Sequence, residues 1–281
     1  MEPIDITSNE EIAIKFELCQ DGPWMFQNEV EILKDLSGCV GVPRLLWEGQ
    51  LCRYYIKALE ALGPSLEDLL DYCRPAFTLK TVLLVADQAI CRLRSLHNKG
   101  YIHRDVKPSN FTMGVGRNGN KLYIIDFGLT VDYSLTKQAH KRRGNCPFEG
   151  TVEFASLNSQ DQREQGCGDD LESLGYTLLY LARGSLPWQY TEAGNKTESF
   201  DLIRKRKMAI SVEALCEGLP GAFVTYINYT RSLLFGEKPD YAYLRRLFRR
   251  AFISKGFKHD FVFDWTEKRF HEVAGLSPSM G

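Results

Sequence analysis

The stretch His103-Arg104-Asp105-Val106-Lys107-Pro108-Ser109-Asn110, with the Asp126-Phe127-Gly128 that follows it, decides how the rest of the chain is read. An Asp, a Lys and an Asn fall within six positions after an apolar helical pattern, and a second Asp ends the apolar run Leu122-Tyr123-Ile124-Ile125. Taken singly, each is an ordinary turn residue that satisfies local backbone. Together they meet the needs of phosphoryl transfer from a metal-bound triphosphate. Carboxylate and amide oxygens suit a hard cation, an ammonium suits the transferred phosphate, and a further carboxylate orients the attacking hydroxyl. Asp105 and Asp126 are the candidate carboxylates, Lys107 the candidate ammonium and Asn110 the candidate amide.

Bulk properties narrow the setting. The 281 residues exceed the ~100–150 typical of one domain but fit one two-lobed unit with an ample core. Charged residues at 25% and hydrophobic ones at 44% are the mix of a soluble globular protein. A net charge of −1 gives no global field toward nucleic acid or a membrane. Eight scattered cysteines without a Cys-x-x-Cys pair point to a reduced compartment, cytoplasmic or nuclear. Met1-Glu2-Pro3-Ile4-Asp5 lacks the basic and apolar regions of a signal peptide, and no apolar run approaches the ~20 residues of a membrane span.

The loop and the Asp-Phe-Gly turn resemble the catalytic loop and metal-binding turn of protein kinases. That resemblance implies Asp105 as the base, Lys107 as the contact to the γ-phosphate and Asn110 and Asp126 as the metal ligands, and it implies places for the remaining parts. Residues 9–18 alternate as a strand, and Ala13-Ile14-Lys15 is placed where kinases keep the lysine that grips the α- and β-phosphates. Trp24 to Leu36 has helical period, with Glu29 available to pair with Lys15. Strands are expected over Arg44–Glu48 and Tyr54–Leu59, and Gly63-Pro64 breaks the chain into a hinge where backbone groups of Glu60 and Leu62 would hold adenine. Ser65-Leu66-Glu67-Asp68 reads as a capping box. Thr78 to His97 carries the apolar stripe Leu79, Val82, Leu83, Ala86, Ile90 and Leu93. Gly114-Val115-Gly116-Arg117-Asn118-Gly119 matches a dinucleotide pattern formally, but no helix follows it, and Asn-Gly hairpin chemistry accounts for it better. A basic segment centred on Lys141-Arg142-Arg143 occupies the place of an activation segment. The helix Leu171–Arg183 is apolar on most faces and stops at Gly184, and Asp170 at its start is placed either to accept N–H groups of the catalytic loop or simply to cap the helix. Further helices are expected over Leu202–Met208, Pro220–Leu233 and Tyr241–Phe252.

More specific strings resemble the casein kinase 1 family: Leu62-Gly63-Pro64-Ser65-Leu66-Glu67-Asp68-Leu69, Asp169-Asp170-Leu171-Glu172-Ser173-Leu174-Gly175-Tyr176, Gly184-Ser185-Leu186-Pro187-Trp188 and Lys238-Pro239-Asp240-Tyr241. Ala155-Ser156-Leu157-Asn158 stands where most kinases carry Ala-Pro-Glu. The resemblance implies ATP-dependent phosphorylation of Ser or Thr in acidic or already phosphorylated proteins, with Mg2+ as the metal. Three departures accompany it. No glycine occurs before Gly22, so the Gly-rich loop over the phosphates has no counterpart. Glu153 replaces a phosphate-binding arginine, a feature more like the vaccinia-related kinases, and other features are like the tau-tubulin kinases. Thr112 replaces the leucine beneath adenine.

The expected fold is therefore α+β and two-lobed: a small, mainly β N-lobe, truncated, with the hinge over 1–62, a mainly helical C-lobe over 63–268, and a tail over 269–281. The expected activity is that of a monomeric Ser/Thr kinase using ATP and Mg2+, with Lys205 and Lys207, and Arg142 and Arg143 nearby, receiving an acidic protein substrate. The alternative is a pseudokinase or scaffold with impaired ATP binding. No nucleic-acid or membrane partner is expected.

Overall fold

The computed structural model describes residues 11–19, 23–133, 148–189 and 196–275. The first lobe is a three-stranded antiparallel sheet with one helix. Strand β1 (Ile12–Leu18) is followed by α1 (Pro23–Asp35), then β2 (Leu45–Leu51) and β3 (Tyr54–Glu60), in the spatial order β1-β3-β2. Both expected later strands run further than the sequence suggests, because each residue of β2 past Glu48 finds a ladder partner in β3. In β1, Lys15 and Glu17 share the face turned toward α1, whereas Ile14, Phe16 and Leu18 lie on the other face and are exposed. Helix α1 buries Phe26, Val30 and Leu33, and Glu29 is buried with them.

The hinge leads into helix α2 (Leu66–Cys73), which has the capping box read from Ser65 and Asp68: Asp68 N–H donates to Ser65 Oγ (3.1 Å) and Ser65 N–H donates to Asp68 Oδ2 (2.9 Å). Helix α3 (Leu79–Asn98) buries Val82, Leu83, Ala86, Ile90 and Leu93 of the predicted stripe, and Leu79 at its start is half-buried. The short strands β4 (Tyr101–Ile102), β5 (Phe111–Met113), β6 (Leu122–Ile124) and β7 (Val131–Asp132) pair as β4 with β7 and β5 with β6. The glycine-rich stretch between β5 and β6 is a hairpin containing the 3-10 turn Gly116–Asn118.

Beyond these lie α4 (Leu157–Gln160), α5 (Cys167–Arg183), α6 (Lys196–Ala209), α7 (Val212–Leu215), α8 (Gly221–Ser232), α9 (Tyr241–Ser254) and α10 (Asp264–Val273). Helix α5 starts at Cys167, ahead of the expected Leu171, because Asp169 Oδ2 accepts from Gly166 N–H (2.7 Å) and caps the first turn. It is buried along nearly its whole length, between α3 and α8. Helix α10 crosses the boundary expected at residue 268. It is docked onto the second lobe: Asp264 accepts from Thr78 N–H and Oγ1, both at 2.6 Å, and Tyr72 donates to Glu272 at 2.6 Å. One hydrophobic core runs from Ile32 of α1 and Leu36 just after it through α3 and α5 to Phe248 of α9, so the two lobes share packing. Among the described residues no helix is long and apolar enough to cross a membrane.

Candidate active site

The catalytic stretch leaves α3 through β4 and is fixed from below by α5. Asp170 Oδ2 accepts from His103 N–H (2.7 Å) and Oδ1 from Arg104 N–H (2.9 Å), so it holds loop backbone and does not serve as a helix cap. His97 at the end of α3 completes the support, with Nε2 2.8 Å from Asp170 Oδ2 and Nδ1 2.6 Å from the Tyr241 hydroxyl. Although burial opposes its charge, hydrogen bonding to Asp170 and Cys167 raises the His97 pKa to about 9. Asp170 is held below the usual carboxylate range because His97, His103 and the loop N–H outweigh its burial. Arg104 sits in the left-handed region at φ 69°, a strained turn that these bonds fix in place.

Asp105 is buried, and both of its carboxylate oxygens are engaged. Its Oδ1 accepts from the Thr151 hydroxyl (2.8 Å), and its Oδ2 from Asn110 Nδ2 (3.0 Å), with Lys107 Nζ at 2.7 Å. Asn110 Nδ2 also donates to the Asp105 carbonyl (2.8 Å). Lys107 Nζ reaches the Thr151 hydroxyl at 2.9 Å. Asp126 is likewise left-handed, at φ 64°, and Phe127 behind it is fully buried with its edge against His103. Burial opposes the charge on Asp126, but Lys15, His103, the Gly128 N–H and Lys107 together lower its pKa.

From the other lobe, Lys15 Nζ lies 3.3 Å from Glu29 Oε2, the expected pair, and 3.5 Å from Asp126 Oδ1, a contact the sequence did not suggest. Its pKa is raised, because Glu29, Asp126 and Glu17 overcome partial burial. At the hinge, Glu60 N–H donates to Arg44 O (3.0 Å). The Glu60 carboxylate pairs with Arg44 Nε at 2.7 Å. Leu62 makes no backbone–backbone hydrogen bond among the described residues. A polar cavity of about 560 Å³ borders Glu60, Ala61 and Leu62 but reaches neither Lys15 nor Asp126.

Residues 3–218 match the protein kinase domain as a family model. The chain belongs to the protein kinase family. As a kinase it transfers a phosphoryl group from ATP with the help of a divalent metal. The donors fit that metal. Among the described residues no cluster of three or more His, Cys, Asp or Glu forms a cage. Asn110 and Asp126 are instead a partial oxygen set of the kind that shares an ion with substrate phosphates. Thr112, buried with its hydroxyl lacking a hydrogen-bond partner, adds a polar position beside β6.

The substrate-side expectations need correction. Lys207 is not on the surface. It is 1% exposed, its Nζ donates to Val152 O (2.8 Å) and Ala155 O (2.7 Å), and the ammonium faces the rings of Tyr176 and Trp188. It therefore braces the segment that carries Thr151 and is withdrawn from any substrate. Lys205 is exposed, and Arg142 and Arg143 lie outside the described residues. Sequence reasoning also missed His97, Thr151 and Lys57. A lysine interrupting the apolar part of β3 was the available signal for the last of these.

Proposed function

We propose that this kinase is a Ser/Thr protein kinase of the casein kinase 1 type, using ATP and Mg2+ on acidic protein substrates. The observation that carries the reading is the coordination of Asp105. Its carboxylate already receives an aliphatic hydroxyl, that of Thr151, with Lys107 bridging the same two groups. A Ser or Thr hydroxyl entering beside Thr151 meets the same acceptor. A carboxylate has about four lone-pair positions, so room for another donor remains.

In the proposed step the substrate oxygen attacks the γ-phosphorus in line. Its proton passes to Asp105, the new O–P bond forms, and the bond to the β-phosphate oxygen breaks, leaving ADP. Lys107 and Lys15 would offset charge on the phosphate oxygens, and Asn110 and Asp126 would hold Mg2+, which would supply charge neutralisation for the triphosphate. Exposed Lys205 supports an acidic substrate. Glu149 and Glu153 on the neighbouring segment argue for acidic residues placed toward α6 and against a phosphate beside the catalytic loop. Of these, Glu149 is already paired with Arg104 at 2.6 Å.

The test is Asp105→Asn assayed with labelled ATP, Mg2+ and casein. Turnover is expected to fall by about 10²–10⁴-fold, the usual contribution of a positioned general base. ATP binding, measured by thermal shift, should persist. Retained turnover would remove Asp105 as the base. A folded wild-type chain that neither binds ATP nor transfers phosphate would favour the scaffold alternative.

A further inference from the structure

Strand β3 places a second lysine at the cleft, and the phosphoryl-transfer residues leave it without a role. Lys57 stands opposite Lys15 in the β1–β3 ladder, and its side chain is wholly buried. A buried ammonium persists only where carboxylates compensate its lost hydration. Lys57 has two. Nζ donates to Glu17 Oε1 at 2.8 Å and, more closely still, to Glu29 Oε2, while its charge faces the Phe26 ring at 5.2 Å.

Lys15 is held differently. Its side chain is 45% exposed, and its distances to Glu29, Asp126 and Glu17 are 3.3, 3.5 and 3.6 Å. The tight partner of Glu29 is therefore Lys57, and Lys15 is the loosely held member of the group. The consequence appears when Lys15 turns to a phosphate. Glu29 has a side chain only 5% exposed, and without Lys57 it would be left as a buried, uncompensated carboxylate. Lys57 also joins three elements at one ammonium: Glu17 from β1, Glu29 from α1 and its own strand β3.

We propose that Lys57 is a positioning residue: by keeping Glu29 neutralised and Glu17 anchored, it holds β1 and α1 in register and frees Lys15 for the nucleotide phosphates. This rests on the kinase reading of Lys15. It assigns Lys57 no contact with ATP.

The experiment uses the full chain with Lys57→Met, Lys57→Arg and Glu17→Gln, assayed for casein phosphorylation and melting temperature. Lys57→Met is expected to lower kcat/KM for ATP at least about tenfold, the size of a lost charge-assisted contact, with KM for casein within about twofold of wild type. Lys57→Arg should recover part of that loss. Glu17→Gln, a milder change that keeps the test open should Lys57→Met not fold, should raise KM for ATP about threefold in a chain that still melts cooperatively. Wild-type kinetics toward ATP in both Lys57→Met and Glu17→Gln, even with a lower melting temperature, would reduce Lys57 to a structural residue and overturn the inference. A wild-type chain that neither binds ATP nor transfers phosphate would overturn the kinase reading itself, and the inference with it.

Discussion

Lys207 shows how one side chain can connect stability to chemistry. Burial pushes its ammonium down to about 7, and the charges of Glu172 and Glu153 offset that only in part. Its charge is costly there, but the two carbonyls it satisfies would be costly without it. An unsatisfied buried acceptor costs about 1–3 kcal/mol, so losing both outweighs the relief from removing one buried charge that is already half neutral. Lys207→Met keeps the stem between Tyr176 and Trp188 and removes only the donors. We expect it to lose about 1–3 kcal/mol in urea denaturation. Turnover should fall as well, because Val152 and Ala155 flank the segment whose Thr151 contacts Asp105. Lys205→Met, on the exposed side of the same helix, should stay within about 0.5 kcal/mol of wild type. Equal stability in the two variants would contradict the bracing role.

At the scale of elements, α5 organises the second lobe, and its end depends on one glycine. Gly184 adopts φ 77°, donates its N–H to Tyr180 O at 2.7 Å, and a Cβ there would collide with the Pro75 carbonyl oxygen. Gly218 has a similar φ of 79° with open space around it. Gly218→Ala should therefore cost only the left-handed penalty of about 1–2 kcal/mol. Gly184→Ala adds a backbone clash and should cost clearly more, about 3 kcal/mol or above. Chemical denaturation of the two variants compares them directly, and equal losses would remove the packing argument.

The same helix shows what was legible in the sequence. Its apolar run and terminal Gly184 mark a buried helix, and the strings around Asp105 and Asp126 mark the chemistry, because motif spacing is local. The supports of that chemistry are not local. His97 reaches Asp170 and Tyr241 across the fold, and Lys207 reads as part of the basic run Arg204-Lys205-Arg206-Lys207 until the fold turns it inward. Lys57 lies in β3, a strand otherwise apolar up to Glu60 at its end, and only the pairing of β3 with β1 shows which carboxylates receive it. A single charge carries no period, so pattern reading passes over it.

For the whole molecule, these buried charges determine how stability responds to pH, and two of them oppose each other. His97 is raised to about 9 in the fold from an ordinary value near 6.5, so its contribution is fully present below about pH 6.5 and is lost as pH rises through 9. The groups facing it are Asp170, Cys167 and Tyr241. Lys207 is lowered to about 7 from 10.5. Its burial penalty is therefore full below pH 7 and is relieved as pH rises toward 10.5. Between about pH 7 and 9 the folded chain sheds the Lys207 proton while the unfolded chain keeps it, and the unfolded chain lacks the His97 proton that the fold retains. The two slopes cancel, so wild-type stability should be nearly flat over that window. Lys207→Met removes one side of the balance. In that variant, stability measured by urea denaturation should fall by about 3 kcal/mol between pH 6.5 and 9, following the His97 shift. Adding His97→Gln to Lys207→Met should flatten the profile again. A Lys207→Met profile as flat as that of the wild type would mean that His97 does not carry its charge inside the fold, and would remove the imidazolium from the support of the catalytic loop.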